Sequence, residues 1–196
     1  MFKQLSWIVS LAALTTVLGV ATAGATNAPP VSVSLKGTQT VVDEAAGTSE
    51  MHGSLIGLWQ ITKFVPRYAS ASQFVGTGKE LFDGCLDSNG NGTCDPKDPA
   101  GTLKMTFMYW ASFDPATGAL IHGNCVHPID NGTGSFKHAS GVVFMEDTPV
   151  DGEVVTTYTG TLDYQAPKSG QAMGHHRTLA SASKSSAGHG GGCGAA

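Results

Sequence analysis

Six residues between positions 87 and 98 carry oxygen at the spacing of a cation-binding loop. With Asp87 counted as position 1, Asn89, Asn91, Thr93, Asp95 and Asp98 fall at positions 3, 5, 7, 9 and 12, and Gly92 takes the sharp turn at 6. Hard oxygen donors with no histidine nearby select Ca2+ over a transition metal. Two Asn in place of Asp lower the ligand charge, so the expected site is a weak one, matched to extracellular calcium. Two features depart from the full pattern. Position 12 is Asp rather than the bidentate Glu, and no amphipathic helices flank the loop, which excludes an EF-hand helix pair. The competing reading is a Gly/Asn/Asp/Pro hairpin loop that needs no ion.

The chain has four cysteines, which allow three complete pairings. Cys85 and Cys94 bracket the loop, and a bridge between them is expected to staple it. Bridges from either one to Cys125 are the rivals, and Cys193 sits near the C-terminus as a free thiol or an intermolecular partner. His122 and His127 lie an odd number of residues apart on one strand and so face opposite sides, which argues against a shared metal. Cys125 and His127 share a face; in an oxidising compartment the bridged or buried fate of such a cysteine outweighs a catalytic one. Glu80 and Tyr109 are candidate polar groups inside a cavity, where a buried carboxylate shifts its pKa and serves as acid or base. An outward-facing Glu80 is the ordinary alternative. No nucleophile elbow, P-loop, zincin or dinucleotide fingerprint occurs.

The elements that must position these groups come from composition and periodicity. Residues 1–23 have the build of a secretory signal: Lys3, an apolar stretch, then Ala21 and Ala23 as an A-x-A cleavage site. The expected location is secreted or periplasmic, with no membrane association after cleavage. A net charge of −4 with only 11 Lys plus Arg leaves no basic stripe for nucleic acid. Residues 24–50 are expected to form a linker, with VSVSL (31–35) as an added edge strand, and residues 167–196 a disordered Gly/Ser/Ala/His tail. The folded domain is then 51–166. There the pattern has period two: Leu103, Met105, Phe107, Tyr109, Ala111 and Phe113 alternate with a mixed face. Five further strands are expected at 54–65, 71–85, 118–129, 140–147 and 153–164. Charged residues are few (13%) and 26 glycines punctuate the chain, which suits an all-β sandwich or barrel. Glycines inside strands favour the barrel, because closure needs bends.

The stretch GTGSFKHASGVVFMEDTP followed by TTYTGTLDY resembles the C-terminal half of allene-oxide-cyclase-like and dirigent-like barrels. The residues that carry the resemblance are Gly132, Gly134, Phe136, Ala139, Gly141, Asp147, Tyr158, Gly160 and Leu162. It implies an eight-stranded antiparallel closed barrel with an apolar cavity. It carries no functional residue across, because the matching positions are structural and fold does not settle function. With no catalytic constellation visible, the first expectation is a small apolar or aromatic ligand bound by Glu80, Phe107, Tyr109 and Phe113. The alternatives are an isomerase or cyclase of the allene-oxide-cyclase kind, guiding its substrate by orientation, and a structural exported domain with a filled core.

Overall fold

The computed structural model describes residues 29–166, so the signal segment and the tail from 167 onward lie outside the described residues. Eight antiparallel strands run in chain order: β1 (Val31–Asp43), β2 (Thr48–Gly53), β3 (Leu55–Ala69), β4 (Gln73–Leu86), β5 (Ala100–Phe113), β6 (Leu120–Gly132), β7 (Ser140–Val150) and β8 (Glu153–Tyr164). Each strand pairs with its neighbour, and β1 pairs back to β8, which closes the barrel. Closure removes every open sheet edge, so each strand has hydrogen-bonding partners on both sides. Among the described residues no helix is long and apolar enough to cross a membrane.

The expected linker is corrected by this architecture. Residues 31–43 form β1, and 48–50 begin β2, so the barrel starts near residue 31 rather than 51. The strand VSVSL is not an edge, since β1 is bonded to both β2 and β8. Its inward residues explain why it escapes a hydrophobicity scan. Leu35 and Gln39 are buried, but Gly37 stands between them where a larger residue would fill the face. Gly37 is small because a Cβ there would lie 2.5 Å from the Tyr158 hydroxyl. What identifies β1 is the pairing it completes.

On β5 the alternation seen in the sequence is the alternation of burial: Leu103, Met105, Phe107, Tyr109 and Ala111 point inward, while Lys104, Met108 and Trp110 are exposed. The core they join includes Trp59, Phe82, Phe136, Tyr158 and Leu162, each nearly or fully buried. Side chains of that size each contribute roughly 1.5–3 kcal/mol on burial. Gly78 on β4 makes room for them, because a Cβ there would lie 2.3 Å from the Phe107 ring. Tyr158 pins the wall from within: its hydroxyl accepts from Leu55 N–H at 2.8 Å, joining positions 103 residues apart. Burial pushes that phenol up to about 12, so it stays protonated.

Candidate functional site

Glu80 lies on the inward face of β4, opposite Ile61 of β3 and Met105 of β5. Its neighbours along that face, Gly78 and Phe82, alternate with exposed Lys79 and Asp83, so strand periodicity alone turns the carboxyl inward. His127 lies on the inward face of β6, opposite Val143 of β7, with Cys125 and Ile129 on either side. These two side chains, 47 positions apart in the chain, meet inside the barrel: His127 Nδ1 is 3.3 Å from Glu80 Oε2, and the side chains are 0% and 2% exposed. The separation is within reach of a hydrogen bond, although the two groups are not aligned as one.

Their surroundings decide their charge. Burial pushes the Glu80 carboxyl up to about 8; the Trp59 indole N–H pulls the other way, although it too falls short of hydrogen-bond geometry. Burial pushes the His127 imidazole down to about 3. Both groups are therefore neutral at pH 7, as expected where a low dielectric penalises either charge. The pair sits in a chain of rings. Trp59 is 5.2 Å from His127 by ring centroid, and Phe107 is 5.9 Å from it on another side. From Phe107 the contacts continue through Phe64 and Phe74 to Tyr109, with centroid separations of 5.9–6.0 Å.

Four polar atoms of this centre lack a protein hydrogen-bond partner: Trp59 Nε1, Glu80 Oε2 and both ring nitrogens of His127. Such groups each cost on the order of 1–3 kcal/mol when left unsatisfied. A second carboxyl buried inside a strand, Asp147, is treated differently. Asp147 on β7 accepts a hydrogen bond from Thr156 Oγ1 at 2.5 Å.

Of the residues expected to bind a ligand, Glu80, Phe107 and Tyr109 are buried in the interior, and Phe113 is half-buried against the rim of the core. Trp59 and the pairing of His127 with Glu80 are not apparent from the sequence. The parity of β6 puts His127 on the Cys125 face, but which side chain it meets depends on how β4 and β6 converge across the interior. Cys125 is buried and takes no part in a disulfide. His122, on the opposite face of β6, lies 3.8 Å from exposed Glu146.

The expected bridge is present: Cys85 and Cys94 form a disulfide with a Cα–Cα distance of 5.8 Å. The 87–98 loop it closes connects β4 to β5 and is densely hydrogen-bonded. Asp87 accepts backbone N–H groups from Gly90, Asn91 and Gly92, which, with Gly92 foremost, hold its carboxyl below the usual range. Asn89 Oδ1 accepts from Asn91 N–H, and Asn91 Oδ1 accepts from the N–H and hydroxyl of Thr93. Both Asn amides donate to Asp95 Oδ2. Asp98 is buried and closes the base, accepting from Ser88 N–H and hydroxyl and from Asp95 N–H. Among the described residues no group of three or more His, Cys, Asp and Glu side chains is gathered so as to hold a metal ion.

No family model matches the chain, and no curated protein matches it by sequence. Among solved structures, a pterocarpan synthase dirigent protein is similar at 14% identity and a TM-score of 0.26, over 79% of this chain and 97% of that one. The chemistry therefore rests on the barrel's own side chains.

Proposed function

We propose that this chain is an exported barrel that binds a small, largely apolar ligand among the aromatic rings of its interior. The observation that carries the reading is the cluster of unpartnered polar atoms on Trp59, Glu80 and His127 among the aromatic side chains of the core. Apolar pockets with a few convergent polar groups are the usual form of small-molecule sites. The A-x-A leader pattern and the Cys85–Cys94 bridge support action in an oxidising compartment outside the cytoplasm. A second role is proposed for the 87–98 loop, as a weak Ca2+ clip between β4 and β5; its support is the ligand spacing in the sequence.

Glu80 and His127 also favour a second reading, an isomerase or cyclase of the allene-oxide-cyclase kind. A neutral acid beside a neutral base in a dry interior is equipped to move a proton. Native mass spectrometry of the full chain exported by its host separates these readings from that of a structural domain. A retained non-covalent mass supports ligand binding, and a retained compound that on incubation becomes a species of the same mass but different chromatographic retention supports the isomerase. A bare polypeptide mass, together with a melting temperature that no apolar compound raises, would leave the core filled by its own side chains.

A further inference from the structure

The Glu80–His127 contact has a consequence for the free side of the imidazole. Nδ1 faces Glu80 Oε2 at 3.3 Å. With the carboxyl neutral, a proton carried on Oε2 makes Nδ1 the acceptor and puts the ring's own proton on Nε2. If the proton instead passes to Nδ1, the imidazolium still carries N–H at Nε2. In both of these states Nε2 is a donor, fully buried and met by no protein acceptor; a carboxyl proton on Oε1, with Oε2 accepting from Nδ1–H, is the state that leaves Nε2 bare and that the test below separates. Behind it stand the Glu80 carboxyl and, beside that, the Trp59 indole N–H, both near enough to act on it through space and neither in hydrogen-bond geometry.

We propose that His127 Nε2–H, backed by Glu80, is the binding point for the carbonyl oxygen of an uncharged aromatic ligand. The ring partners support the aromatic part, since Trp59 and Phe107 both approach His127 within 6 Å by centroid. An anionic ligand is disfavoured, because it would bring an unpaired charge into a core whose nearest acid is already neutral for want of a counter-ion. This assignment rests on the ligand-binding reading above and adds the chemistry of the ligand to it.

The test uses the full exported chain and three probes of nearly equal shape: acetophenone, ethylbenzene and benzoate. Acetophenone should bind about tenfold more tightly than ethylbenzene, the scale of satisfying one buried donor, and benzoate more weakly than either. In His127→Phe the acetophenone advantage should vanish while ethylbenzene still binds. Long-range 1H–15N NMR of the unmodified protein at pH 6.5 supplies a readout that needs no variant. It should show His127 protonated at Nε2, with that resonance moving on addition of acetophenone and not of ethylbenzene. A proton on Nδ1 with Nε2 bare overturns the proposal. Equal binding of acetophenone and ethylbenzene, or a preference for benzoate, also overturns it while leaving a ligand-binding barrel in place. No binding by any of the three overturns it together with the reading it rests on.

Discussion

The 87–98 loop and the Glu80 centre treat polar groups in opposite ways. The loop is mostly exposed, and water is available to its side chains, yet Asp87, Asn89, Asn91, Asp95 and Asp98 all accept hydrogen bonds from within the loop. The Glu80 centre is closed to water, yet Trp59, Glu80 and His127 keep polar atoms with no protein partner. Stability alone predicts the reverse, since an unmet group costs most where water cannot reach it. The loop's hydrogen bonds are thus closed on themselves. The interior carries a cost that folding does not recover, the pattern expected where function sets the residue type.

The largest expected effect tests the structural half of that contrast. Cys85 and Cys94 are nine positions apart, and closing a loop of that size is worth about 3 kcal/mol in chain entropy. The Cys85→Ser/Cys94→Ser double variant should lose about that much in urea unfolding. A loss under about 1 kcal/mol would mean that the loop's hydrogen bonds persist in the unfolded chain and already restrict it, against the entropic account.

The functional half is tested by removing the polar pair altogether. Replacing a buried polar pair with apolar residues of similar volume is often stabilising, so Glu80→Met with His127→Leu should raise stability by about 2 kcal/mol. A fall of similar size would show that the pair is structural and would collapse the contrast. Single changes do not make this test, because each leaves one buried polar partner behind.

Proton linkage gives a smaller and more specific effect. Folded Glu80 keeps a proton that the unfolded chain releases above 4.5, so stability falls as pH rises from there to about 8. Unfolded His127 takes up a proton below 6.5 that the folded chain refuses down to about 3, so stability falls as pH drops through that window. The two slopes cancel between 4.5 and 6.5. The pair's contribution is then a plateau with a decline on each side, of at most about 1.4 kcal/mol per pH unit. Urea midpoints across pH should show the alkaline decline, and Glu80→Gln should abolish it while sparing the acid arm. Wild-type stability that stays level up to pH 8 would mean that Glu80 is ionised in the folded chain.

The barrel was largely legible in the chain, while the site within it was only half so. Period-two alternation identifies β5, because its inward residues are large and apolar from Leu103 to Phe113. The same rule fails on β1, where the inward positions hold Gly37 and Gln39 and where closure onto β8 supplies the stability that composition does not announce. Glu80 and His127 each belong to an inward-facing series that a parity count recovers. Their meeting is not recoverable that way. It depends on the stagger between β4 and β6 and on ring volumes such as Phe107 held in place by Gly78, which are properties of the closed barrel.

The smallest expected effect bears on whether the loop is complete without an ion. The donor spacing predicts a dissociation constant near about 1 mM, so about 5 mM Ca2+ should add about 1 kcal/mol, or raise the melting temperature by roughly 2–4 °C. To admit the ion, Asn89 and Asn91 must release Asp95 Oδ2, to which both amide groups now donate, and turn their oxygens inward. That exchange keeps the gain small. Asp98 is the least available ligand, since both of its oxygens already close the base of the loop. Asp87→Asn should abolish the calcium response, because it removes charge at the first ligand position, whereas Glu80→Gln should leave it intact. If melting is the same in EDTA and in calcium, the loop's hydrogen bonds suffice and the contrast with the interior is complete. If calcium stabilises more than about twice as strongly as predicted, the loop's polar groups are also held for a ligand, and the two regions differ only in which ligand they await.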